Sequence, residues 1–150
     1  MRVYIGIDPG MNGGIGILSP YSKLSHCVPM PETAKQLADV LKEYRNLDVV
    51  AVVEKVGAMP GQGVVSMFKL GKGYGEIIGI CSAYGFRILN PTPQAWKKIM
   101  LSGTDKSKHA SIQRCENLFP DVDLVLPKCR KAHDGMAEAL LLAEYGRRTI

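Results

Sequence analysis

The run Asp48-Val49-Val50-Ala51-Val52-Val53 is too continuously apolar and β-branched for a strand with one wet face. It predicts a strand buried on both faces, inside a mixed or parallel sheet. The run ends at Glu54, so a carboxylate emerges from the end of a central strand. The N-terminus repeats this arrangement. Arg2-Val3-Tyr4-Ile5-Gly6-Ile7 reads as a short strand delivering Asp8 to its C-terminal end, where Pro9-Gly10-Met11-Asn12-Gly13-Gly14 makes a turn. Ile15-Gly16-Ile17-Leu18 then starts a second strand beside the first. An acid at such a strand end sits above the core. Burying its charge unpaired is costly, so it needs a cation, a donor or a metal.

The remaining segments supply the other elements of an α/β chain. Lys23 to Pro29 predicts a third strand. Glu32 to Tyr44 predicts a helix whose Ala34, Leu37, Ala38 and Leu41 share a buried face. Lys55 to Gly63 reads as a loop. Val64 to Tyr84 predicts one long helix despite Gly71, Gly73, Gly75 and Gly79, each costing about 1 kcal/mol relative to alanine; a break near Gly71–Gly75 is the alternative. Phe86 to Leu89 is a further strand. Thr92 caps a helix that begins at Pro93 and ends at Met100. Thr104 is expected to cap a helix from Asp105 to Leu118, and Ala132 to Arg147 to close the chain, with Gly146 marking the helix end. No linker interrupts the 150 residues, which read as a single domain, and 46% apolar against 22% charged residues suits a globular one.

Asp134 and Glu138 lie four residues apart, so the closing helix projects them from one face. Each of the four acids taken singly is better explained by solvation or an ion pair than by catalysis. Their joint placement, two at strand ends and two near a helix start, points further. Asp8, Glu54, Asp134 and Glu138 offer hard oxygen ligands suited to Mg²⁺ or Mn²⁺, without soft ligands. Two ions held this way suit hydrolysis of a phosphodiester. His133 either begins the helix at the surface or positions water or phosphate beside the metals. Cys27, Cys81, Cys115 and Cys129 are scattered without a CxxC pair, which predicts reduced cysteines in a cytosolic protein and no zinc site.

Three stretches together, YIGIDPG, VVAVVEKV and AHDGMAEALLLAEY, resemble the RuvC-type Holliday-junction resolvases of the ribonuclease H-like superfamily, above all their compact phage-borne versions. The resemblance spans essentially the whole chain. It implies an α/β ribonuclease H-like fold with a five-stranded mixed sheet flanked by helices. It also implies a homodimer that uses divalent metal to cut four-way DNA junctions. By motif position Asp8 resembles the family's first-strand acid, Glu54 its second acid, and Asp134 with Glu138 its closing pair. The chain departs from the family in two respects. The closing acids are four apart and end in Glu, where members commonly have a spacing of three and Asp, so which one serves the second metal is open. The family's aromatic beyond the second acid is also missing: Gly57, Ala58 and Met59 stand there, with Met59 as an apolar wedge candidate.

The net charge is +5, and Lys55 to Lys131 carries twelve Lys/Arg against five Asp/Glu. A basic middle beside an acidic centre suits a polyanion that must also meet bound metal. Lys97, Lys98, Lys106, Lys108, Lys128, Arg130 and Lys131 are the candidate phosphate contacts, positioning DNA without reading its sequence; an ordinary solvated basic face is the other reading. Val65, Phe68, Tyr74 and Ile78 are candidate dimer anchors, or else this stripe packs on its own sheet. Two other functions compete: an actin-like ATPase, for which the chain has little room, and a nucleic-acid-binding module with a decayed site. No membrane partner or organic cofactor is expected, and the expected location is the cytoplasm, that of the host cell if the gene is phage-borne.

Overall fold

A computed structural model describes residues 1–22 and 25–150. Five strands form one sheet: β1 (Val3–Asp8), β2 (Gly14–Leu18), β3 (His26–Pro29), β4 (Val49–Val53) and β5 (Arg87–Leu89). Their order is β3-β2-β1-β4-β5. The first three strands pair antiparallel, whereas β4 and β5 join in parallel. The sheet is therefore mixed and five-stranded, as expected, and β1 and β4 are its central strands. Of the segment expected as the third strand, Lys23 and Leu24 lie outside the described residues.

Among the described residues five helices cover the sheet: α1 (Ala34–Lys42), α2 (Val64–Ala83), α3 (Pro93–Met100), α4 (Lys108–Leu118) and α5 (Asp134–Thr149). Strand alternation divides the core in two. Val3, Ile5, Ile7, Val49, Ala51 and Val53 point to one face, where they meet Leu37 and Leu41 of α1 and Ile77 and Cys81 of α2. Val50 and Val52 point to the other, among Trp96 and Met100 of α3, Cys115 of α4 and Leu140 of α5. The uniform Val/Ile character of β4 follows from this two-sided burial.

Helix α5 lies directly on the sheet. A β-carbon on Gly6 would overlap the Ala139 carbonyl oxygen, and one on Gly16 would come within 2.5 Å of the Leu140 nitrogen. These two strand glycines let the helix backbone approach where any side chain would hold it off. With α3 and α4 also packed against it, α5 is buried from Gly135 to Ala143.

Several helix boundaries differ from expectation; α1 is shorter than Glu32 to Tyr44 at both ends because Thr33 caps it and Glu43 ends it. Helix α4 begins at Lys108 with Ser107 as its cap, not Thr104. The Thr104 hydroxyl is instead hydrogen-bonded to the Leu101 carbonyl and the Lys106 N–H, and Lys106 adopts φ 58°, outside the helical path. Helix α5 begins after His133, because Ala132 is drawn into a bridge with Val125. It also continues through Gly146 to Thr149. Gly146 is a packing position, since a β-carbon there would crowd Val52 Cγ2 at 2.5 Å. Helix α2 is continuous, and its four interior glycines face open space.

Candidate metal centre

Asp8 and Glu54 arrive together for a reason visible in the strand register. In the parallel β1–β4 pair Gly6 faces Val52 and Ile7 faces Val53, so Asp8 and Glu54 are the next positions along. The Glu54 N–H continues the ladder by donating to the Ile7 carbonyl at 3.2 Å. Both acids share parity with Gly6 and Val52, which face α5. Helix α5 adds Glu138, one turn beyond its start and buried to 8% exposure. One carboxylate oxygen from each of Asp8, Glu54 and Glu138 lies within 4.8 Å of the other two.

Neighbouring groups hold this triad in place. Trp96 Nε1 donates to Glu54 Oε2 at 2.6 Å. The buried Ser111 hydroxyl lies 3.3 Å from Glu138 Oε1, and Lys97 Nζ lies 3.7 Å from the same oxygen. Even so, negative charge dominates. Burial, followed by Glu138, Glu54 and Asp134, pushes the Asp8 carboxyl up to about 8, against the opposing pull of Lys97. Burial and Glu138 push Glu54 upward as well, opposed by the Trp96 hydrogen bond and Lys97. A cluster that strains to hold its protons off is one that a divalent cation relieves, and its donors are all hard oxygens. The residues present therefore fit a Mg²⁺ or Mn²⁺ ion.

The other sequence candidates divide. Asp134 stands outside the triad, partly exposed, with its Oδ2 3.6 Å from Lys108 Nζ. Of the two closing acids, Glu138 is the one that meets Asp8 and Glu54. The lysine beside Glu138 is Lys97. His133 caps α5, its Nδ1 accepting from the Met136 N–H at 3.0 Å, so its only uncommitted ring nitrogen is Nε2. Met59 is exposed on the loop after Glu54. Lys98, Lys106, Lys108, Lys128, Arg130 and Lys131 are all exposed, whereas Lys97 is turned inward to the acids. Val65 and Phe68 of α2 are exposed, but Tyr74 and Ile78 pack against their own sheet.

The sequence shows neither the bond from Trp96 to Glu54 nor the place of Ser111 beside Glu138. Trp96 is a packing residue, as its helix position suggests, and it also bonds an acid of the centre. The available signal was that a buried indole N–H needs an acceptor. Ser111 carried no comparable signal, being a lone serine in a polar helix.

No protein-family model matches the chain, and no curated protein matches it. Solved structures do match. Thermus thermophilus RuvC superposes with a TM-score of 0.62 at 19% identity, over 97% of this chain and 95% of that one. The T. thermophilus RuvC complex with Holliday junction substrate gives 0.64 at 17% identity, over 99% and 96%. The yeast mitochondrial Holliday junction resolvase gives 0.60 at 16% identity, over 96% and 77%. This chain thus has the fold of these proteins along nearly its entire length.

Proposed function

We propose that the chain is a divalent-metal-dependent endonuclease that cuts four-way or otherwise branched DNA, a RuvC-type Holliday-junction resolvase. The observation that carries this reading is the meeting of Asp8, Glu54 and Glu138 at one end of a sheet whose fold is that of resolvases. The same three acids would hold Mg²⁺, or Mn²⁺ in its place, with Asp134 at the rim of the site. The bound ion would supply Lewis acidity and a water made nucleophilic at neutral pH.

The chain's own residues have separable tasks in this reading. Lys97 offsets part of the acid cluster's charge and points a cation to where a phosphate would approach. His133 presents Nε2 beside Asp134, able to hold a water or a phosphate oxygen. Lys98, Lys106, Lys108, Lys128, Arg130 and Lys131 provide the electrostatic track for the DNA backbone. Met59 is free to enter the junction centre as an apolar wedge. Paired incisions in a four-way junction call for two related centres, which a homodimer provides. Exposed Val65 and Phe68 on α2 are its candidate anchors. Among the described residues no helix is long and apolar enough to cross a membrane.

The deciding experiment compares a four-way junction with linear duplex of the same sequence, in Mg²⁺ and in EDTA. Junction cleavage that requires metal is the expected result. Junction binding without cleavage in Mg²⁺ or Mn²⁺ would leave a binding module, and ATP hydrolysis in its place would indicate the actin-like alternative.

A further inference from the structure

The chain has one tryptophan, Trp96, and it is fully buried on α3. Its position is set from both sides. Thr92 and Pro93 fix the start of the helix, and Met100 and Leu101 pack with the indole against Val50 and Val52. The indole N–H is a donor only, and it is directed at Glu54 Oε2 over 2.6 Å. That is short for an N–H···O bond.

Glu54 has little else to hold it. It is the first residue beyond β4, and the loop that follows is largely exposed from Lys55 to Gly63. Among the described residues no other side chain donates a hydrogen bond to its carboxylate. The neighbouring Lys97 stands 5.5 Å from the Trp96 ring centroid and 3.7 Å from Glu138 Oε1. One turn of α3 therefore touches two of the three acids, Glu54 through Trp96 and Glu138 through Lys97.

We propose that Trp96 is the positioning residue of the centre. Its indole N–H fixes the Glu54 carboxylate in the orientation that meets Asp8 and Glu138, and its emission reports a cation bound there. Trp96 acts through Glu54 and touches neither the cation nor the substrate. The proposal rests on the triad being a divalent-cation site. Donors behind a ligating carboxylate typically change metal affinity 10–100-fold when removed. Phenylalanine keeps most of the ring's packing and lacks the N–H, so Trp96→Phe isolates the hydrogen bond from the core.

The test needs no DNA. Mn²⁺ uptake is followed by loss of the free-ion paramagnetic resonance signal for wild type, Trp96→Phe and Glu54→Gln. Wild-type emission is titrated separately with diamagnetic Mg²⁺. We expect Trp96→Phe to fold with wild-type circular dichroism and to bind Mn²⁺ about tenfold more weakly or worse. Wild-type emission should change saturably with Mg²⁺, and that of Glu54→Gln should not. A Trp96→Phe protein with the wild-type Mn²⁺ midpoint overturns the positioning role while leaving the metal centre standing. So does wild-type emission that stays flat while Mn²⁺ binds. A wild-type protein that takes up no Mn²⁺ removes the metal centre and the proposal together. Should Trp96→Phe fail to fold, the wild-type and Glu54→Gln emission titrations decide alone.

Discussion

The Lys97 ammonium lies 3.7 Å from Glu138 Oε1, so the acid cluster has a cation of its own beside it. Lys97 is only partly exposed, at 26% of its side chain, and its charge opposes the upward push on both Asp8 and Glu54. In the proposed centre a cation at that position would compete with a bound metal and meet an incoming phosphate. Lys97→Met is therefore expected to lower the Mg²⁺ midpoint about two- to fivefold, the range of a partly screened ion pair, while slowing junction cleavage. Mg²⁺ titrations of single-turnover cleavage measure both effects. A variant that cuts at the wild-type rate with an unchanged midpoint would show that Lys97 is a bystander.

Asp8 ties stability to pH. Its carboxyl is raised from 3.8 to about 8, so the folded protein binds that proton more tightly than the unfolded chain. The contribution favours the fold fully below about pH 4 and is lost as pH rises through 8. Asp8→Asn removes the charge, so in EDTA it should stabilise the fold by about 1–3 kcal/mol at pH 8.5 and by little at pH 4. This is less than full linkage predicts, because water reaches the cluster. Urea unfolding at the two pH values checks it, and a pH-independent difference would count against the charge explanation. The same substitution is expected to abolish cleavage.

The two closing acids should separate experimentally. Glu138 is buried within the triad, while Asp134 is partly exposed and paired with Lys108. Glu138→Gln should reduce cleavage by at least about 100-fold, as loss of a first-rank ligand does, and Asp134→Asn by about tenfold or less. Equal losses, or the reverse order, would place Asp134 in the centre as well.

Gly6 and Gly16 let α5 lie on the sheet, and α5 carries Glu138. Gly6→Ala or Gly16→Ala places a methyl group against helix backbone, which cannot move aside as a side chain can. Each should cost about 3 kcal/mol or more, the upper end for overpacked cores. Chemical denaturation at fixed pH measures this. A loss under about 1 kcal/mol would mean that the helix shifts at little cost.

The exposed Val65 and Phe68 lie on the half of α2 that leaves the sheet. If they join two protomers, Phe68→Glu should leave a monomer in sedimentation at concentrations where wild type is a dimer. A wild-type monomer on cleaved junction DNA would remove the dimer altogether.

Much of this architecture is decided by short-range chemistry that the sequence displays directly. Val49 to Val53 can be satisfied only between two apolar layers, Pro9 to Gly14 can only turn, and Thr92 with Pro93 begins a helix because capping is local. Asp8 and Glu54 at strand ends are legible for the same reason. Other outcomes depend on distances that no local pattern encodes. The start of α4 moved because Thr104 found partners in a turn and Lys106 took a left-handed conformation. Gly146 looked like a helix stop and became a contact with Val52. Which of Asp134 and Glu138 meets the strand-end acids depends on how α5 lies on the sheet, to which Gly6 and Gly16 on two separate strands admit it closely. The bond from Trp96 to Glu54 joins residues 42 apart in the chain, through a core that exists only once α3 has docked. Local propensity thus set the elements and the acids they carry, whereas close packing decided which acids meet and what holds them there.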